Sequence, residues 1–326
     1  MRFYRNDSHD PAFNLALEEL LTQEHEDCFM LWRNAPSIII GKNQNTAAEV
    51  NAEFVRRHEI RVVRRITGGG AVYHDLGNVN FSLIIPAEEW SQERAEACCS
   101  YIVQPLRGMG LDCHCSGRND ILCGGVKISG CARSVQKNRM LFHGTILYDV
   151  DLEVLSRALN PDPEKILSKG IASVRARVGN LRQMLGNNAP DTDVFLNSLA
   201  EAVARNLSLK CEAPGETIRR RAEKLAQEKY RTWEWNYGTV FQYDLCRKKH
   251  FPGGMVAAEM KIDRDKIREV RFTGDFFVNR PLDGLEKKLA GAVPEREQML
   301  ALLRELHAES FIAGVSAENL TEILCL

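Results

Sequence analysis

Arg64-Arg65-Ile66-Thr67-Gly68-Gly69-Gly70-Ala71-Val72-Tyr73-His74-Asp75 joins cationic, flexible and polar groups in one strand-to-loop element, and the reading of the chain turns on it. Val62 to Ile66 is β-branched with arginines interleaved and reads as a strand. Three glycines after it free the backbone to bring its N–H groups close to an anion. The run lacks both the Gly-x-x-x-x-Gly-Lys-Ser/Thr spacing of a P-loop and the Gly-x-Gly-x-x-Gly spacing of a dinucleotide site, so a nucleotide held here is held another way. Glycine clusters after strands are also ordinary turns, and the run alone leaves both readings open.

Upstream, Pro11 follows Asp10 at a helix start, and Phe13, Leu17, Leu20 and Leu21 recur at helical spacing, which predicts an amphipathic helix over 10–25. Cys28 to Arg33 and Ser37 to Ile40 read as strands about an Asn34-Ala35-Pro36 turn, and Thr46-x-x-Glu49 is a capping-box signature for a helix running to about His58. Downstream, Val79 to Ile85 is a strand closed by Pro86, and 91–109 is helical by period. A short strand is expected near Leu111, and the segments Asp120 to Leu122 and Val126 to Ser129 flank a Cys123-Gly124-Gly125 turn, a hairpin signal. Leu141 to Val150 alternates as a strand, 152–159 and 193–229 have helical period, and Tyr230 to Gly238 is an aromatic connector suited to packing between layers. Beyond Val240, alternating segments at 255–262 and 267–272 flank a polar turn, and helical patterns follow near 281–290, 294–307 and 316–324. The pattern predicts an α/β protein: an α+β mixed sheet with flanking helices over 1–245, then a smaller α+β domain over 246–326.

Composition narrows the function classes. Lys+Arg 43 against Asp+Glu 44 leaves a net charge of -1, so there is no bulk basic field of the kind that binds nucleic acid or anionic lipid, and any anion site is local. No apolar run reaches the roughly 18 residues of a membrane span, and Met1 to Asp10 carries charges of both signs without an apolar core, so a cytoplasmic protein is expected. Ten cysteines without a Cys-x-x-Cys pair fit reduced thiols, and Cys113-His114-Cys115 suits alternation along a strand better than a zinc site.

Three further polar clusters occur: Ser116 to Asp120, Gly124 to Gly130, and His143-Gly144-Thr145. Lys127, between Val126 and Ile128 and flanked by glycines, is placed on a short strand where its ammonium either reaches inward to neutralise an anion or points to water.

Taken in order, Leu31-Trp32-Arg33-Asn34, Arg64 to Asn78, Gly117-Arg118-Asn119-Asp120, Lys127-Ile-Ser-Gly130, His143-Gly-Thr145 and Lys169-Gly-Ile-Ala-Ser-Val-Arg-Ala-Arg-Val178 closely resemble the lipoate-protein ligase A family of the biotin/lipoate ligase superfamily. The match spans most of residues 1–240, and Phe251-Pro-Gly-Gly254 leads into a segment that looks like the family's accessory domain. The resemblance implies a biotin/lipoate ligase-like fold and an enzyme that activates lipoate with ATP to lipoyl-AMP, then transfers the acyl group to a lysine of an acceptor protein. It implies that Lys127 contacts the lipoyl carboxylate and the α-phosphate, that Arg65 and Gly70, Ala71, Val72 and Tyr73 hold the nucleotide, and that Asn78, Asp120, Gly144 and Thr145 match pocket positions. Magnesium is expected to accompany the ATP with Asp120 as a candidate ligand, and Trp32, Arg65 and His74 are candidate lipoate contacts beside Lys127, a core role being the alternative for Trp32. The Lys169 to Val178 loop matches a segment that closes over the intermediate. Acceptors in the family are E2 lipoyl domains of 2-oxoacid dehydrogenases and the glycine cleavage H protein.

Two other readings follow from the residues. Cys131, directly after Gly130, allows an octanoyl or lipoyl acyltransferase working through a cysteine thioester, which requires a lowered thiol pKa or an adjacent base. A non-catalytic lipoyl-binding homologue is expected to lack the lysine or the arginine, and both are present. His74 and His143 are candidate bases for the acceptor lysine, with a structural role the alternative for each.

Overall fold

The computed structural model describes residues 1–24, 26–116, 120–160, 178–238 and 242–325. Contacts divide the chain into two units: Met1–Ile39, Glu49–Arg64 and Val72–Asn236 form the first, and Ile40–Ala48, Arg65–Ala71 and Tyr237–Leu326 the second. The Gly117 to Asn119 part of the second motif cluster and residues 169–177 of the expected closing loop lie outside the described residues.

In the first unit, β1 (Arg2–Asn6) precedes helix α1 (Pro11–Gln23), which starts where the Asp-Pro pair predicts because the Asp10 side chain accepts from Ala12 N. The chain then forms β2 (Cys28–Trp32) and β3 (Ser37–Ile40). The single helix expected over 46–58 is instead two, α2 (Thr46–Glu49) and α3 (Ala52–Arg57). Asn51 interrupts it by recapping, its side chain accepting from Phe54 N, and the β-branched Val50 before it forms a bridge to Leu159. Strand β4 (Arg61–Arg64) stops short of Ile66, and β5 (Val72–His74), which glycine-rich flanks had hidden, pairs antiparallel with β3.

Next come β6 (Asn78–Pro86), α4 (Gln92–Gly108), β7 (Cys113–Ser116), β8 (Asp120–Cys123), β9 (Val126–Gln136), β10 (Arg139–Leu147) and α5 (Leu152–Ala158). The expected helical stretch 193–229 breaks after helix Thr192–Leu207, where Ser208 turns left-handed and β11 (Cys211–Glu212) adds to the sheet edge. The mixed sheet has the order β11-β1-β2-β6-β10-β9-β8-β7, parallel at β11-β1-β2 and antiparallel from β2 to β7. One sheet face packs Phe3, Phe29, Leu31, Val79, Phe81, Leu83 and Phe142 against Cys98, Ile102 and Leu106 of α4 and Phe195, Leu199 and Val203 of helix Thr192–Leu207. Helix α1 meets β6 and β10 from the other side, through Glu18 to Ser82 and His143.

The second unit carries the antiparallel sheet β12 (Leu245–Phe251), β13 (Gly254–Asp263) and β14 (Lys266–Gly274), as the alternation beyond Val240 predicts. Its core joins Val256, Met260, Ile267 and Phe272 to Leu285, Leu289, Met299, Leu303, Leu320 and Ile323 of three helices. Among the described residues no helix is long and apolar enough to cross a membrane.

Candidate active site

Strand β6 alternates with period two, and its two faces differ in kind. Val79, Phe81 and Leu83 enter the apolar core, while Asn78, Asn80 and Ser82 are equally buried on the opposite face. Asn80 stands opposite Trp32 of β2 and Thr145 of β10, and Ser82 opposite Met30 and His143, so side chains from three strands share one polar patch under α1. Trp32 Nε1 donates to Ser82 Oγ at 2.8 Å, Ser82 donates to Glu18 Oε1 at 2.6 Å, and His143 Nδ1 lies 2.8 Å from the same carboxylate oxygen. Asn78 Nδ2 donates to Asn80 Oδ1 at 2.9 Å, leaving Asn78 Oδ1 and Asn80 Nδ2 buried with no hydrogen-bond partner among the described residues. Half-satisfied amides in a folded interior are uncommon because desolvation is uncompensated, so each calls for a partner beyond the described residues.

Lys127 sits at the end of this patch. Gly124 and Gly125, at φ 54° and 81°, make the tight β8–β9 turn, a conformation that side chains with a Cβ rarely adopt. Lys127 Nζ lies 2.7 Å from Asp120 Oδ1, both groups about one-third exposed at 34% and 32%. Asp120 pairs in register with Gly130, whose N lies 3.4 Å from Thr145 Oγ1, and a Cβ at Gly130 would lie 3.7 Å from the ammonium. Lys127, Gly130, Thr145, Asn80 and Trp32 thus follow one line across four strands, from a cation to an indole.

Cys131 points the other way. A Cβ at Gly144 would lie 2.7 Å from the Phe81 ring and 2.9 Å from Cys131 Sγ, which puts the thiol in the apolar core. Its neighbour Cys99 has its thiol pushed up by a hydrogen bond with Cys131 and by burial, so this sulfur cluster supplies neither a base nor a thiolate-favouring charge.

The glycine run that began as one motif is divided between the units. Val72, Tyr73 and His74 lie on β5 with Trp32, Asn78, Asp120 and Lys127 in the first, whereas Arg65, Gly70 and Ala71 lie in the second. Trp32 meets the His74 ring edge-on at 6.3 Å, and burial followed by the charges of Asp75 and Asp151 pushes the Tyr73 hydroxyl up to about 12. In the second unit, Arg65 braces the loop from within: Nε donates to Thr67 Oγ1 at 2.9 Å, and one terminal nitrogen donates to Gly68 O at 2.7 Å and Gly70 O at 2.8 Å. A Cβ at Gly68 would lie 2.6 Å from Phe276 O, so packing demands that glycine, whereas one at Gly70 would meet only Asp275 Cβ at 4.0 Å. Gly70 is the glycine of the run with open space before it. Arg64 serves the first unit instead, donating to Trp235 O and Asn236 O, and burial draws its guanidinium down to about 10.

Asn80, Ser82 and Glu18 are absent from the sequence reading. The signal for the first two lay in the strict alternation of Asn78-Val-Asn80-Phe-Ser82-Leu, and nothing in the sequence of α1 sets Glu18 apart from Glu19 beside it.

The model of the lipoyl protein ligase A/B catalytic domain matches residues 10–204, and that of the bacterial lipoate protein ligase C-terminus matches residues 241–324. A lipoate–protein ligase of Staphylococcus aureus strain Mu50 is 38% identical over 99% of this chain and 100% of its own length. The chain belongs to the lipoyl protein ligase A/B family. Among solved structures of lipoyl ligases, a lipoate-protein ligase A bound with ATP superposes with a TM-score of 0.62 at 27% identity, covering 73% of this chain and 99% of that one. A bipartite lipoate protein ligase from Thermoplasma acidophilum, studied with its E2 lipoyl domain, gives 0.64 at 28% identity, covering 75% of this chain and 98% of that one. The mixed sheet is thus the ligase fold expected from the motifs, and this ligase is an enzyme.

Proposed function

We propose that this ligase joins lipoate to a protein lysine in two steps that share the polar line from Lys127 to Trp32. In the first, a lipoate carboxylate oxygen attacks the α-phosphorus of ATP, the bond to the β-phosphate oxygen breaks, and lipoyl-AMP forms as pyrophosphate leaves. In the second, the deprotonated amine of the acceptor lysine attacks the acyl carbonyl and AMP departs, leaving an amide. The observation that carries this reading is Lys127, held by Asp120 beside the bare backbone of Gly130, on a line that continues through Thr145 to the half-satisfied Asn80. Carboxylate and phosphate repel as they meet, and a fixed cation between them offsets that repulsion and stabilises the charge developing in transfer.

Asn78 and Asn80 would orient polar atoms of the adenylate, and Trp32 and His74 would border the acyl chain. Val72 and Tyr73 would approach the nucleotide, and in the second unit Arg65 sets the shape of its own loop through Gly68 and Gly70. Asp120 suits magnesium as a single carboxylate donor, because this ion commonly takes one or two carboxylates and completes its shell with phosphate and water oxygens. When bound, magnesium would neutralise phosphate charge. The relatives solved with ATP and studied with an E2 lipoyl domain support ATP as the activating substrate and a lipoyl domain as acceptor; the glycine cleavage H protein is a further acceptor under this proposal. Ten free cysteines agree with action in the cytoplasm.

Mass spectrometry of an acceptor lipoyl domain, incubated with the protein, magnesium and free lipoate, tests the assignment. A mass gain of one lipoyl group with ATP and none without it is expected. Equal modification in both samples overturns it.

A further inference from the structure

His74 and His143 are both buried in the first unit, and their partners order their protons in opposite ways. His143 turns Nδ1 toward the Glu18 carboxylate, an acceptor, so its Nδ1 carries a proton. His74 turns Nδ1 toward an amide nitrogen, Asn34 Nδ2, at 3.0 Å.

The direction of that last bond follows from the backbone. The Asn14 amide faces two carbonyls, Ser8 O at 2.8 Å and Arg33 O at 2.9 Å, and carbonyls only accept, so its nitrogen must lie on that side. The same nitrogen, its two protons shared among three oxygens, lies 2.8 Å from the Asn34 side chain, where an Asn34 nitrogen would set donor against donor, so Asn34 presents Oδ1, while Asn6 Nδ2 donates to Asn14 Oδ1 at 2.7 Å from behind. With Oδ1 committed to Asn14, Asn34 has only its nitrogen for His74. Nδ1 of His74 must then offer a lone pair, which leaves the ring proton on Nε2 and the ring uncharged. Flipping the Asn34 amide to accept a proton from Nδ1 would set two nitrogens against each other at Asn14.

We propose that Asn14 and Asn34 are positioning residues that hold His74 as the neutral, Nε2-protonated imidazole, so that the acyl-binding site is kept free of a cation. The inference rests on the reading that Trp32 and His74 border the acyl chain. An imidazolium there would bring a buried charge into contact with hydrocarbon, which weakens acyl binding. Among the described residues, the charged groups beside it in sequence or on the packed elements have these partners. Arg33 donates to Leu76 O and pairs with Asp193, and Asp75, held above the usual carboxylate range by burial, accepts from Gly77 N and Asp151 N. Glu18 accepts from Ser82 and His143, and on α5 Glu153 pairs with Arg157 at 3.7 Å.

Heteronuclear NMR of the histidine ring nitrogens in the resting full-length protein reads the tautomer directly. The His74 signals are expected to show a bare Nδ1 and a protonated Nε2, unchanged between about pH 6 and pH 8. A proton on Nδ1, or titration within that window, overturns the proposal. Asn34→Asp keeps the acceptor toward Asn14 but replaces the donor toward His74 with a carboxylate, which draws a proton onto Nδ1. That variant is expected to raise KM for lipoate about tenfold more at pH 6 than at pH 8, with kcat little changed. Asn34→Ala, which removes the restraint without supplying a carboxylate, is expected to shift KM in the same direction but with a smaller difference between pH 6 and pH 8. A KM in Asn34→Asp that is as independent of pH as the wild-type value overturns the proposal. The NMR measurement needs neither ATP nor an acceptor, so a failure of the ligase assignment is read separately, in the wild-type acylation assay.

Discussion

The two faces of β6 are built from the same nine residues and do opposite work. On one face Val79, Phe81 and Leu83 fill a core in which sulfur, aromatic and aliphatic groups touch on all sides. On the other, Asn78, Asn80 and Ser82 are buried as deeply, yet two of their polar atoms lack partners. The first face is satisfied by its own packing, and the second retains polar atoms that a ligand would complete under the proposed function. A protein keeps such groups where binding outweighs their cost to stability. The contrast extends to β9 and β10: Cys131 and the Gly144 Cα serve the core, while Lys127, Gly130 and Thr145 serve the polar line.

If the division is right, stability and activity separate by face. Phe81→Ala is expected to lower unfolding free energy by about 3–5 kcal/mol, the range for removing a large aromatic from a packed core. Lipoylation per folded molecule, measured at a temperature where the variant remains native, should stay close to wild type. Loss of activity with no change in the urea midpoint would erase the distinction. Lys127→Ala is the mirror image: kcat for lipoate-dependent pyrophosphate release should fall about 10²–10³-fold, as when one electrostatic donor is removed from a transition state. Its melting temperature should barely move, because the pair with Asp120 is one-third exposed. Cys131→Ala should retain pyrophosphate release, and the reverse pattern in the two variants would point to a thioester route.

Gly144→Ala probes the boundary between the faces. Its added methyl would meet the Phe81 ring at 2.7 Å and Cys131 Sγ at 2.9 Å, both inside the core. Overpacking of this kind costs about 1–3 kcal/mol, and calorimetry should find that loss. Pairing it with Cys131→Ala, which vacates part of the space, should recover some of the stability, and a strictly additive double variant would place the strain elsewhere.

Much of this was legible before any coordinates. Local chemistry announced α1 through Asp10-Pro11 and the β8–β9 hairpin through Gly124-Gly125, because caps and turns are settled by residues within a few positions of one another. Lys127 stood out for the same reason, a lone cation between glycines on a strand. What stayed hidden depends on contacts distant in sequence. Short edge strands such as β11 form only because a sheet is there to receive them, and the break between α2 and α3 reflects the bridge from Val50 to Leu159. Glu18 reads as one more solvent-facing acid until Ser82 and His143, 64 and 125 residues away, are brought to it. The glycine run shows the converse: its residues drew notice as one unit, yet Arg65 braces the loop itself, and the run is split at Val72 between two packing units.

The finest test of the two-face picture uses the residues whose loss should disturb the fold least. Asn78 and Asn80 satisfy each other through one hydrogen bond and leave an atom each without a partner. Replacing both members of a buried polar pair with apolar side chains of similar size is commonly near neutral, because the desolvation cost disappears with the bond. The double variant Asn78→Leu/Asn80→Leu is therefore expected to unfold within about 1 kcal/mol of wild type, on the stable side if anything. Acylation should nonetheless fall about tenfold or more, since one lost hydrogen bond to a substrate is worth on the order of 1 kcal/mol and two are removed. A strongly destabilised double variant would mean that the amides hold the sheet together. A stable and fully active one would mean that their unsatisfied atoms face no ligand, and the polar line would then end at Thr145.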